Sequence, residues 1–178
     1  ILERLPATLL LTGSAFILSL IMGVALGAWS SRKVGTWVDS AITALALVFY
    51  ATPLYWLAMM AVLLFTVQLN WLPGFGYFTV GADLSGMALA WDIFLHLLMP
   101  SVTLALFYMA VYVRMTRSSM LEVAQMDFVK TARAKGVHPR RIHRNHILRN
   151  ALLPVVTLAG IQAGGMIGGA VLTETVFS

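Results

Sequence analysis

The chain has 178 residues, 60% of them apolar and 11% charged, with a mean hydropathy of +0.85. A water-soluble domain carries about 25% charged side chains, so seven acids and twelve Lys/Arg cannot coat this one, and lipid rather than water is its solvent. The absence of cysteine excludes disulfide frameworks, thiolate metal sites and cysteine nucleophiles. The net +5 is concentrated: nine bases against two acids between Arg114 and Arg149 give that block +7 and leave the remainder at −2.

Glu3-Arg4-Leu5-Pro6 leads at once into an apolar run, with no basic leader region or cleavage site, so the run reads as a span over about 7–29 rather than a signal peptide. The polar turn that follows holds Arg32 and Lys33, and after it no Lys or Arg occurs from Val34 to Val113. The second run, from Ser40 to Ala82, is long enough for two short helices broken near Thr52-Pro53. One span over about 41–67, kinked at Pro53 by the missing backbone donor, is the better reading. It keeps Arg32, Lys33 and the +7 block on one side and the base-free loop on the other, as the positive-inside rule requires. The outer loop Trp71-Leu72-Pro73-Gly74-Phe75-Gly76-Tyr77-Phe78 is apolar and aromatic, which suits the headgroup region or a gate over a pathway.

A third span covers about 96–113, with Asp92 and His96 at its outer edge and Arg114 and Arg117 at its inner edge as membrane anchors. A fourth covers about 151–173, followed by Glu174. Gly23-x-x-x-Gly27 in the first span, and Gly160, Gly164, Gly165, Gly168 and Gly169 in the last, allow close helix approach. Gln162 is the one amide at depth in the last span, and with Gly164 and Gly168 it is the candidate lining of a translocation path. No Lys, Arg or carboxylate lies deep in any span, so an ion-coupled carrier with an intramembrane relay, or a membrane enzyme, would lack its essential groups. No catalytic residue is assigned. Both ends read as cut from a longer membrane protein, within which residues 1–178 form one all-α, polytopic bundle.

The block at 114–150 is too polar to span and too long for a simple turn. Its single aromatic, Phe128, argues against nucleic acid. His138, His143 and His146 have no acid between Asp127 and Glu174 to complete a metal shell, so no metal site is assigned. What remains is helical order: Asp127 to Lys135 is rich in helix formers, Gly136 is a natural stop, and Pro139 can open a second helix. Phe128, Thr131, Ala132 and Lys135 fall on neighbouring turns and would make a small knob with a basic rim. A juxtamembrane loop bound to anionic lipid is the competing reading.

The stretch Asp127-Phe128-Val129-Lys130-Thr131-Ala132-Arg133-Ala134-Lys135-Gly136, with Arg149-Asn150-Ala151-Leu152-Leu153-Pro154, resembles the cytoplasmic coupling loop of ABC-transporter permeases. The class it resembles most is that of the dipeptide, oligopeptide and nickel importers. Glu3-Arg4-Leu5-Pro6-Ala7-Thr8-Leu9-Leu10 and Gly169-Ala170-Val171-Leu172-Thr173-Glu174-Thr175-Val176-Phe177 extend the likeness over nearly the whole chain, and look more like the first of the two permease subunits than the second. Two features depart from the general permease pattern. Lys130-Thr131-Ala132 stand where it has Glu-Ala-Ala, and the Leu-Pro it places about thirteen residues after the glycine is displaced, Pro154 serving instead; both departures suit the peptide class.

The resemblance implies a fold like that of type I ABC importer permeases, with about four spans here and a coupling helix at Phe128–Gly136 that inserts into a cleft on a cytoplasmic ATPase. Asp127, Phe128, Thr131, Ala132, Arg133, Ala134, Lys135 and Gly136 would form that contact. Ala132 and Ala134 would allow close approach, Gly136 the sharp exit, and Arg133 and Lys135 pairing with acids. It implies partners as well: ATPase subunits that bind the ATP, a second homologous permease, an extracytoplasmic solute-binding protein and the bilayer of a bacterial or archaeal cytoplasmic membrane. This chain would bind no cofactor. A non-ABC channel or secondary transporter is the alternative.

Overall fold

The computed structural model describes residues 5–79, 81 and 84–177; Glu3, Arg4 and Ala82, named above, lie outside them. All the regular elements among the described residues are helices. The first, α1 (Leu5–Arg32), rises about 42 Å at 1.5 Å per residue, more than a bilayer core requires. It packs along α4 (Met87–Ala124), and glycine sets how closely. A Cβ on Gly23 would collide with that of Tyr112, and one on Gly27 would stand 2.7 Å from the Thr116 Cβ, so at these two positions any side chain would force the helices apart. Higher up the same interface, Leu11 and Ala15 pack with Leu104 and Ala105, joined by Met166 and Ala170 of α7 (Arg149–Phe177). Ser14 and Ser101 hydrogen-bond across it at 2.7 Å.

The second apolar run is where the structure departs from the expected kinked span. It breaks into α2 (Trp37–Ala51) and α3 (Leu54–Ala61, prolonged by π-helical turns over Val62–Gln68), bent by 100°. The cause is local. Proline crowds the residue before it out of the helical region, and Thr52 is extended, with φ −79° and ψ 128°. Both the amide and the hydroxyl of Thr52 close back onto the Val48 carbonyl, at 3.0 and 2.7 Å, which finishes α2. Three described helices are long and apolar enough to cross a membrane, or four with the bent pair taken as one.

The contacts at the pair's two ends place them at opposite ends of the bundle. Asp39, in the first turn of α2, meets Ser30 at the end of α1 and Arg117 low on α4. Beyond α3, Gly76 donates to the Phe177 carbonyl at 2.9 Å and Thr79 to Asp92, at the opposite end of the bundle. Along the way α2 buries Ala46 against Met109, Ala110 and Val113, while Ala58 and Val62 pack with Met99 and Phe177.

The expected third span, 96–113, is only the middle of α4, which has 38 residues and continues through Arg114, Arg117 and Met120 to Ala124. A tight turn then reverses into α5 (Asp127–Ala134). Gly136, at φ +74°, adopts the left-handed conformation that lets the chain leave that helix. Pro139 opens α6 (Pro139–Arg141), capped by His138 Nδ1, which accepts from the Arg140 amide at 3.3 Å. π-helical turns over Ile142–Leu148 lead directly into α7.

Candidate coupling surface and its supports

Helix α5 is short and has no side-chain N-cap, so its stability comes from the face it buries. That face is Val129 and Ala132, one turn apart, packed against Met120 and Val123 of α4, Ile142 and Ile147 of the π-helical turns and Ala151 of α7. Asp127, Phe128, Thr131, Arg133, Ala134, Lys135 and Gly136 are exposed, Phe128 at 42%. Ala132 is not part of the knob expected from the sequence: at 8% exposure it faces inward and is part of the floor on which α5 sits. Val129, fully buried and not singled out in the sequence, is its companion.

The exposed side is polar apart from Phe128 and Ala134. Lys130 Nζ lies 2.8 Å from Asp127 Oδ1, an exposed pair worth at most about 1 kcal/mol, and the Thr131 hydroxyl donates to the Asp127 carbonyl at 2.9 Å. Arg133 borders a cavity of about 390 Å³ shared with Val137, Pro139 and His143. Burial, and then the nearby positive charge of Arg32, hold the His143 imidazole below its ordinary value. The arrangement therefore offers a partner an aromatic residue among cations on a platform rooted in two long helices.

Beside this platform stands a polar clamp that the sequence reading missed. Asp39 is 5% exposed. It accepts from Arg117 Nε at 2.7 Å and Nη2 at 2.8 Å, from the Ser30 hydroxyl, and from the Gly35 amide at 3.2 Å. Arg117 is thus no simple membrane-edge anchor, because it ties α4 to the end of α1 and the start of α2. The available signal was Asp39 itself, the one acid between Glu3 and Asp83, on the side where bases gather. Nothing in the sequence announced that its partner stands 78 residues away.

The candidate path residues do not share a face. Gly164 and Gly168 are exposed, and with Gly160 they have open space where a Cβ would stand. Gln162 is half-buried and lies roughly 200° around the helix from Gly164. It sits on the same side as Gly165 and Gly169, whose neighbours include the Tyr108 ring and hydroxyl. At the outer end the expected anchors also have specific partners. His96, 9% exposed, donates from Nδ1 to the Asp92 carbonyl at 2.9 Å; Asp92 accepts twice from Thr79; Glu174 accepts from the Thr8 hydroxyl at 2.9 Å.

The family model described as "binding-protein-dependent transport system inner membrane component" matches residues 10–178. The dipeptide transport system permease protein DppB of Alkalihalophilus pseudofirmus is 39% identical over 188 residues, covering 98% of this chain and 56% of that protein. The di/tripeptide permease DppB of Pseudomonas aeruginosa is 38% identical, covering 97% and 56%. The dipeptide permease DppB of Escherichia coli is 39% identical, covering 98% and 57%. The chain thus spans about half the length of these relatives. In fold it is similar to a crystal structure of an amino acid ABC transporter with histidines, at TM-score 0.65 and 16% identity, covering 98% of this chain and 71% of that one. On the family match across nearly all of its length, the chain belongs to the inner membrane components of binding-protein-dependent transport systems.

Proposed function

We propose that this chain is part of the permease of an ATP-binding-cassette importer for peptides or similar small solutes, and that α5 is the element gripped by a cytoplasmic ATPase subunit. The observation that carries the reading is the two-sidedness of α5: Val129 and Ala132 are packed onto α4 and α7, while Phe128, Thr131, Arg133, Ala134, Lys135 and Gly136 are exposed around the rest of the helix. A partner that displaces α5 displaces both long helices, because their side chains share one core. Through the Asp39–Arg117 clamp the same displacement reaches α1 and α2.

In this reading the chain does no covalent chemistry. ATP is bound and hydrolysed by the partner, and closure of two ATPase subunits draws two such helices together. The bundles then rock between inward- and outward-facing states, as alternating access requires. Peptides are the proposed cargo because the relatives named above are peptide permeases. A second permease, an extracytoplasmic binding protein and a bacterial cytoplasmic membrane complete the assembly, with the +7 block on the cytoplasmic side.

The test is a single cysteine at Ala134, exposed and small, in the full-length permease with any cysteine outside this segment replaced. Disulfide or short-linker capture of an ATPase subunit, with a yield that changes on adding ATP, is the expected result. No capture at any position from Phe128 to His138, with both proteins present in the membrane, returns the basic block to lipid binding.

A further inference from the structure

At the end of the bundle opposite α5 lies a cavity of about 560 Å³ that the coupling reading does not use. Its size falls in the range of small-molecule sites, roughly 300–1,000 Å³. Ala7 of α1, Tyr77 and Phe78 of the outer loop, His96 and Pro100 of α4, and Glu174 of α7 are among its lining. The loop crosses it as a strap fastened at two points. The Gly76 amide donates to the Phe177 carbonyl at 2.9 Å, and Thr79 donates from its amide and its hydroxyl to the Asp92 carboxylate, each at 2.7 Å. The Thr79–Asp92 bonds are exposed, so water competes for them and that fastening can open.

The polar groups facing this apolar space have a definite character. Glu174 carries a full negative charge when ionised, and its bond to Thr8 Oγ1, from Oε2 at 2.9 Å, is to a neutral donor. No Lys or Arg occurs between Val34 and Val113 or after Arg149. Among the described residues His96 is the only basic side chain in its lining, Arg4 lying outside them. Because His96 Nδ1 donates to a carbonyl, Nε2 of the neutral ring is an acceptor. Asp92 accepts from Thr79 with both oxygens, and its Oδ1 also lies 3.7 Å from His96 Nδ1. A carboxylate and an acceptor nitrogen beside aromatic surface form a receptor for an ammonium group.

We propose that this cavity receives the ammonium end of a molecule in transit, with Glu174 as its counter-ion, His96 as a second acceptor and Tyr77 and Phe78 covering its apolar part. The inference rests on the peptide-importer reading for the identity of the molecule. A free peptide N-terminus and a lysine side chain present the same chemistry.

The experiment uses the full-length permease assembled with its partners, with Ala7→Cys as the one thiol after any other cysteines are replaced, and follows maleimide labelling. Alanyl-alanine at about four times its dissociation constant is expected to slow labelling about fivefold. N-acetyl-alanyl-alanine should give no protection, and Glu174→Gln should raise the alanyl-alanine needed for equal protection about tenfold, since a charge-assisted bond becomes a neutral one. Protection by N-acetyl-lysyl-alanine also supports the site and adds the lysine side chain as a source of the ammonium. Equal protection by the acetylated dipeptide, indifference to Glu174→Gln, no protection at all, or a thiol unreactive in the empty transporter overturns the proposal. The last outcome would mean that another part of the protein fills the cavity. Uptake of alanyl-alanine by the unaltered transporter is measured separately: uptake without protection sinks the cavity alone, and absence of uptake sinks the peptide reading.

Discussion

Asp39 is the residue on which most depends for its size. Its carboxylate gathers donors from α1, the following turn and α4, so neutralising it leaves the partly buried Arg117 guanidinium without its counter-charge. Exposed pairs are worth about 0–1 kcal/mol and the breaking of buried ones costs about 3–5. With one partner buried and the other partly exposed, Asp39→Asn should cost about 2 kcal/mol, read as a lower thermal midpoint of the purified transporter. Restoring opposite charges in the swapped order, Asp39→Arg with Arg117→Asp, should recover part of the loss; no recovery would show that geometry rather than charge holds the three helices.

Glycine supplies a second contrast at this scale. Gly23→Leu must push α1 off Tyr112 and should prevent a stable bundle, whereas Gly164→Leu meets open space and should leave expression and melting of the permease alone nearly unchanged. Equal damage from both would contradict the packing described here. The small-residue spacing was legible in the sequence for both helices. Which spacing is filled by this chain and which faces outward was not, because that depends on what lies across the interface.

Among the elements, α5 shows how much a short helix can hide. Its start, its glycine exit and the proline beyond it are written in residue types with strong local preferences, and so could be read directly. Its rotation could not. Eight residues with Phe128, Val129, Ala132 and Ala134 as the apolar set fit more than one phase, and only the surrounding Met120, Val123, Ile142 and Ile147 decide for Val129 and Ala132. Ala132→Leu should therefore overpack the floor and cost about 1–3 kcal/mol of stability, while Phe128→Ala should leave the melting temperature alone and weaken ATPase capture. If the two effects were exchanged, the inward and outward faces would have to be exchanged with them. The length of α4 escaped for a different reason. Loss of charge-free sequence at Arg114 set the end of the expected span, but arginine is a good helix former, and the helix runs on to Ala124.

For the molecule as a whole, charge asymmetry set the expected topology, and the structure gathers Ser30, Asp39 and Arg117 at one end and Thr8, Glu174 and Phe177 at the other. The departure inside the second run came from one proline, whose effect can be anything from a slight kink to a full break depending on what the neighbouring helices offer each arm. The bent pair has the shape of a bell crank. The last backbone bond of α2 closes on Val48 and the first of α3 begins at Pro53, so the corner itself is held by two residues' torsions. One arm is riveted to α4 at Asp39, near the basic surface, and the other lies against α7 and Met99 near the strap. In the coupling reading proposed above, a stroke delivered along one arm would leave along the other nearly at a right angle, provided that packing of both arms keeps the corner from flexing.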